Sequence, residues 1–100
     1  MTPREAAFKA LTSHQFASEA LGDWQRRSNP DPRDFRLAQE IAYGTTRMAR
    51  ALDAAAKQLT PTGKLQLKRK EKALLRTALY QALYMERIPL YAIAEESVAL

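Results

Sequence analysis

Six basic side chains fall within thirteen residues: Lys64, Lys68, Arg69, Lys70, Lys72 and Arg76, with Glu71 the one acid among them. That window carries a charge of +5, equal to the formal net charge of the whole chain. The remaining residues hold ten cations and ten anions. A neutral body with one basic spot points to a polyanionic partner, phosphate or nucleic acid. The plain alternative is the solvated start of a helix. At 100° per residue Lys68, Arg69, Lys72 and Arg76 fall within an arc of about 100° and share one helix face, while Lys70 points elsewhere. The same rows continue into Leu79 and Leu83, and Ala73, Leu74, Leu75, Ala78 and Ala82 take the other faces. The sequence therefore predicts a core helix that begins exposed and basic and becomes buried nearly all round. Its first peptide N–H groups also favour an anion, and the cations there oppose the helix dipole, a misfit that a bound phosphate relieves.

No constellation for catalysis emerges. The chain has no Cys, hence no thiolate metal site and no Cys nucleophile, and its one histidine, His14, cannot form a His-based metal site alone. Thr62-Gly63-Lys64-Leu65 lacks the upstream Gly and following Ser/Thr of a phosphate-binding loop. Glu95 and Glu96 are adjacent on a helical segment and point in different directions, which suits first-turn electrostatics or a partner contact. Ser13-His14 is not a triad fragment. Trp24, Phe8 and Phe35 sit on apolar stripes and read as core, not as base-stacking platforms.

Composition sets the frame that positions the basic face. One hundred residues bound the chain to one domain or part of one. Apolar residues make up 46% with only five Pro and three Gly, so the chain folds; Leu and Ala abound and β-branched residues are few, which favours helix. No apolar run approaches the ~18 residues of a membrane span. The start, Met1-Thr2-Pro3-Arg4-Glu5, lacks the apolar region of a secretory signal, and a cytoplasmic protein with no membrane partner is expected.

Five helices are predicted. The first opens with a capping box, Thr2-Pro3-Arg4-Glu5, and ends near Ser13, with Ala7, Phe8 and Leu11 as its apolar face. The second runs from Phe16 to Arg27 on Phe16, Ala17, Ala20, Leu21 and Trp24. The third starts at Asp31-Pro32 and runs to about Gln58, with Ala38, Ile41, Ala42, Thr45, Met48, Ala49, Leu52, Ala56 and Leu59 as its stripe. Gly44 lies in its middle at a cost of about 1 kcal/mol relative to Ala, so either a neighbouring helix approaches closely there or the helix bends. Thr60-Pro61-Thr62-Gly63 is a turn. The fourth helix covers Lys68 to Met85. The fifth begins near Pro89 or Leu90, with Ile93, Ala94 and Val98 apolar. The fold class is all-α, a helical bundle with short connections.

Several stretches then resemble one family in order and spacing across the chain. They are Gly44-Thr45-Thr46-Arg47, Leu52-Asp53, Leu75-Arg76-Thr77-Ala78-Leu79-Tyr80-Gln81-Ala82-Leu83-Tyr84, Arg87-Ile88-Pro89 and Ala92-Ile93-Ala94-Glu95-Glu96-Ser97-Val98. They resemble the NusB-like fold, and within it the N-terminal domain of the ribosomal RNA small-subunit methyltransferase B family more closely than the free antitermination factor NusB. The resemblance implies an all-helical RNA-binding accessory domain over residues 1–100. In that family such a domain precedes a catalytic domain that methylates the 5-position of a cytosine in 16S ribosomal RNA. That chemistry uses S-adenosylmethionine and Cys residues, so no cofactor is expected in this Cys-free chain. The implied partners are ribosomal RNA and the C-terminal methyltransferase domain of the same parent protein.

The resemblance also implies that the N-terminal helix and nearby basic residues face RNA. The matching positions are Arg4, Lys9 and Arg76; Arg76 ranks first because it also belongs to the basic face of Lys68, Arg69 and Lys72. Arg47 and Arg87 match motif positions too, but each could instead cap carbonyls or form a salt bridge, with Asp53 or Glu95 as partner. Without exposed aromatics, such helices read shape and backbone more than bases. Three other readings compete. One is a NusB-type antitermination factor binding RNA with a ribosomal protein. Another is a protein-interaction module for which the basic window is incidental. A helix-turn-helix DNA binder is weaker, because no short recognition helix with base-reading residues is visible.

The family's domain carries further helices after its Glu-Ser-Val motif, whereas Ser97-Val98-Ala99-Leu100 ends apolar and uncapped. A fragment missing its C-terminal helices is therefore expected, with an uncovered apolar patch and either self-association through it or reduced stability. A melting temperature that rises with protein concentration is the predicted result; a sharp, concentration-independent melt of a monomer contradicts it.

Overall fold

A computed structural model describes residues 1–62 and 66–93. Among these residues all regular secondary structure is helical, with no strand: α1 Pro3–Thr12, α2 Ala17–Ser28, α3 Pro32–Arg47, α4 Ala49–Leu59 and α5 Arg69–Tyr80, followed by a π-helical turn over Gln81–Met85. The expected all-α bundle is what forms. Residues 90–93 make a further helical turn, with the Ala92 N–H donating to the Pro89 carbonyl. Lys64, Ala94, Glu95, Glu96 and Ser97 to Leu100 lie outside the described residues.

The caps follow the sequence. Thr2 Oγ1 accepts from the Glu5 N–H at 3.1 Å while the Glu5 carboxylate accepts from the Thr2 N–H, so both halves of the capping box are present. Asp31 caps α3 by accepting from the Arg33 N–H at 2.8 Å, with Pro32 in the first turn. Asn29 ends α2 in the left-handed conformation, φ 43°, which its short polar side chain tolerates. Helix α5 has no Ser or Thr cap; the Glu71 carboxylate accepts from the Lys68 N–H at 3.0 Å instead.

Four expectations need correction. The long third helix is two helices that meet at Met48, whose φ of −100° and ψ of 15° leave the helical region. Thr46 Oγ1 donates back to the Ala42 carbonyl at 2.9 Å, a side-chain bond that competes with the helical ladder and favours a bend here. The fourth helix is α-helical only to Tyr80, after which Glu86 N–H reaches the Gln81 carbonyl five residues back. Nor is that helix buried nearly all round: Leu74 is 59% exposed and Ala78 faces solvent. Phe16 stands at the N-cap of α2, 78% exposed, and is no part of its apolar stripe.

The core has two clusters. Ala6, Ala7, Ala10, Leu21, Trp24, Ala38, Ile41 and Ala42 join α1, α2 and α3, where the small side chains let the helices approach closely. Trp24 stacks on Phe35 at 6.2 Å between ring centroids, so both rings serve packing. Leu52, Ala56, Leu79 and Tyr80 form the second cluster between α4 and α5. Met85 packs against both. Burying a residue such as Leu52 contributes about 1.5–3 kcal/mol.

Gly44 answers both alternatives posed for it: the helix bends four residues later, and a neighbour does approach. A Cβ at Gly44 would lie 2.0 Å from Tyr80 Cζ. The ring cannot swing away, because Tyr80 is buried, stacks on Tyr84, and donates its hydroxyl to Glu40 Oε1 at 2.7 Å. Helix propensity alone makes Gly44→Ala stabilising by about 1 kcal/mol. The steric conflict reverses the sign, and a net loss of about 1–3 kcal/mol is predicted in a urea melt. A Gly44→Ala protein as stable as the parent contradicts this packing.

Candidate nucleic-acid interface

Helix α5 carries the basic face to a definite place. Arg69, Lys72 and Arg76 line one cleft of about 260 Å³ with Leu11 of α1 and Thr45, Thr46 and Ala49 at the bend between α3 and α4. Two contacts fix α5 against α1. Arg69 donates to the Ser13 carbonyl at 3.3 Å, and Arg4 donates to the Gln81 side chain near the opposite end. The two helices therefore run antiparallel. Lys68 sits exposed at the N-cap of α5, beside the cleft.

The cations of this face are not equally available. Arg76 forms a bidentate pair with Asp53 of α4, Nε to Oδ1 at 2.8 Å and Nη2 to Oδ2 at 2.6 Å, and is only partly exposed. Lys72 Nζ lies 3.9 Å from Asp53 Oδ2 and is half exposed, a loose pairing that leaves its other protons to solvent. Arg69 spends one N–H on Ser13 and keeps the rest of its fork free. So Arg69, Lys72 and Lys68 are placed to meet a ligand, whereas Arg76 contributes its charge from behind an existing ion pair.

The other sequence-selected cations lie apart. Arg4 sits near Gln81, about 18 Å along α5 from Arg69 at 1.5 Å per residue. Lys9 is exposed and borders a groove of about 140 Å³ between α1 and α2 with Trp24 and Arg27. Arg47 stands beside the Tyr80 hydroxyl; Asp53, offered as its partner, belongs to Arg76 instead. Glu95, the other partner offered, lies outside the described residues. Arg87 follows the π-turn in the left-handed region, φ 57°, where the Ile88 N–H closes back on the Ala82 carbonyl at 2.8 Å. That is a Schellman-type ending with Arg in the place glycine usually takes.

Two features take roles that the sequence does not give them. Asp53 appears there as a motif residue and as a partner for Arg47 or Arg87, yet its role as the anchor of Arg76 depends on α4 turning at Met48 to face α5. Thr45 reads as part of an apolar stripe, but its hydroxyl is buried in the cleft wall with no hydrogen-bond partner among the described residues. The expectation that aromatics are hidden also fails for Tyr43 and Tyr84, which are 39% and 43% exposed.

Residues 1–100 match the NusB family. The chain belongs to the NusB family. It is 35% identical to the ribosomal RNA small subunit methyltransferase B of Pseudomonas putida (strain KT2440), over 98% of this chain and 23% of that protein. The chain therefore spans about a quarter of the length of that relative. No solved structure matches. Among the described residues of this NusB-family chain, no helix is long and apolar enough to cross a membrane, and no cluster of three or more His, Asp or Glu stands ready for a metal.

The Asp53–Arg76 pair gives a prediction in pH. Hydrogen bonds from Arg76 hold the Asp53 carboxyl below the ordinary value of 3.8, helped by the charges of Arg76, Lys72 and Lys57 and opposed by burial. A lowered folded pKa means a stabilising contribution present above 3.8 and lost as pH falls through the folded value. Asp53→Asn should cost about 1–2 kcal/mol at pH 7, discounted for partial exposure, and should flatten the acid limb of the stability curve. An unchanged acid limb in the variant contradicts the pairing.

Proposed function

We propose that this chain is an RNA-binding accessory domain that holds 16S ribosomal RNA for a separate cytosine-5 methyltransferase domain. The observation that carries the reading is the cleft of Arg69 and Lys72, with Lys68 at its edge, in a NusB-family chain similar to the N-terminal quarter of a ribosomal RNA methyltransferase. S-adenosylmethionine and the chemistry of methyl transfer belong to that second domain of the parent protein. This chain's part is to bind and orient, in the cytoplasm where ribosomal RNA is made.

Physically, the binding face works by charge and shape. The peptide N–H groups at the start of α5 point toward the same end as Lys68 and Arg69, where the Glu71 carboxylate already takes the Lys68 N–H, so the side-chain cations supply the main attraction for phosphate. Arg76 and Asp53 hold the α4–α5 pair rigid behind the cleft, and the ion pair keeps a carboxylate from competing with Arg69 for the ligand. Lys9 and Arg4 extend the positive field along α1, and Arg47 and Arg87 lie further out. Leu74 and Ala78, exposed on the outer side of α5, offer an apolar surface to the methyltransferase domain or to a second copy of the chain.

A salt-titrated isotherm tests the reading. The ligand is a labelled small-subunit ribosomal RNA hairpin, with a scrambled RNA and a DNA of equal length as controls. Each neutralised phosphate contributes about −0.7 to −0.9 to the slope of log K against log salt, so a face of three accessible cations predicts a slope of about −2 to −3. Reversing Lys68, Arg69 and Lys72 to Glu removes most of that slope and most of the affinity. Arg76→Ala lowers stability more than affinity. Equal weak binding to all three ligands, or affinity untouched by the triple reversal, would count for an interaction module instead.

A further inference from the structure

The side of α3 turned away from the core carries a second group of cations. At 100° per residue Arg33, Arg36, Glu40, Tyr43 and Arg47 fall within an arc of about 80°. That arc lies opposite the buried Ala38, Ile41, Ala42 and Thr45. All five of its side chains are exposed. It shares no residue with the cleft at the start of α5. Arg33 and Arg36 form no salt bridge with a carboxylate among the described residues. Glu40, the one acid of the arc, accepts from the Tyr80 hydroxyl, and Arg47 stands beside that hydroxyl. Arg36, Glu40, Tyr43 and Arg47 border a shallow cleft of about 290 Å³ together with Gly44.

Tyr43 is the unusual member. Its ring belongs to neither core cluster and stands exposed between two guanidinium groups on the same helix. Tyr84, exposed and stacked on Tyr80 with centroids 5.5 Å apart, adds an aromatic edge to the flank where Tyr80 meets Gly44. An exposed ring offers a stacking surface to an unpaired base, which a duplex, with its bases already stacked, cannot use. The guanidinium forks of Arg36 and Arg47 match phosphate oxygens. They are separated by eleven residues, about 16 Å along the helix, with Tyr43 between them. An acidic protein segment would engage the same cations but gain nothing specific from the ring's face.

We propose that this outer face of α3 binds an unpaired stretch of RNA, with a base stacked on Tyr43 and neighbouring phosphates held by Arg36 and Arg47. The inference rests on the RNA-binding reading and adds to it a second surface with a single-stranded ligand. The α5 end then holds a structured region by its backbone, while α3 captures a loop or flanking strand.

The test is fluorescence anisotropy with two labelled RNAs, a twelve-nucleotide oligouridine and a hairpin whose paired stem is closed by a non-nucleotide linker in place of a loop, each across a salt series. The proteins are the parent chain, Tyr43→Ala, Tyr43→Phe, Arg36→Ala and the Lys68/Arg69/Lys72 triple reversal. Tyr43→Ala should weaken oligouridine binding about tenfold and change hairpin binding less than twofold. Tyr43→Phe, which keeps the ring, should stay within about twofold of the parent on both, and Arg36→Ala should reduce the oligouridine salt slope by about 0.7. The inference is overturned if Tyr43→Ala binds oligouridine like the parent, or if Tyr43→Phe loses as much as Tyr43→Ala. Hairpin binding that is still lost in the triple reversal would then leave the α5 reading standing. A parent chain that binds neither RNA overturns both.

Discussion

The Tyr80 ring lying in the notch left by Gly44 is the contact on which the rest of the arrangement depends. It is the point where α5 crosses α3, and the hydroxyl bond to Glu40 fixes the ring's end while Tyr84 fixes its face. A buried phenol with a satisfied hydroxyl gains its full apolar contribution and leaves no polar debt. With α5 held at that point, its first two turns bring Arg69 and Lys72 to Thr45, Thr46 and Ala49 at the α3–α4 bend. Move the crossing point by one turn and the cations would meet solvent on a bare helix end instead of a walled cleft.

The bend at Met48 is the second constraint. A straight helix from Pro32 to Leu59 would carry Asp53 away from α5. The turn brings Asp53 opposite Arg76, and their paired hydrogen bonds join α4 to α5 above Leu52 and Leu79. One of the basic residues is thereby converted into scaffold, and its neighbours gain a fixed backing. The division is physical: a partly buried, bidentate Arg loses more by leaving its carboxylate than an exposed Lys loses by meeting a phosphate.

Much of this was legible in the sequence, for identifiable reasons. The caps at Thr2 and Asp31 are local, and local chemistry alone sets them. The α3 stripe of Ala38, Ile41, Ala42 and Thr45 follows one period and faces the core as its spacing requires. The shared face of Arg69, Lys72 and Arg76 is likewise a property of a single helix. What escaped depends on contacts between elements. The bend at Met48 leaves the hydrophobic period intact, so the stripe runs on through it. Leu74 reads as core because nothing in one sequence tells which neighbours cover a helix. The Asp53–Arg76 pair, twenty-three residues apart, needs the bend to exist. Tyr43 is not legible as a site, because its stripe with Arg36 and Arg47 lies opposite the apolar one and one polar face of a helix reads in sequence like any other.

Amide chemical-shift mapping of the ¹⁵N-labelled chain, titrated with the small-subunit ribosomal RNA hairpin, tests the central claim most directly. The account predicts the largest shifts at Lys68 to Ala73 and at Thr45 to Ala49, the two walls of the α5 cleft, fading as salt is raised. Shifts confined to the exposed Leu74–Ala78 side of α5, or to the α1–α2 groove around Lys9, with the cleft silent, would contradict it.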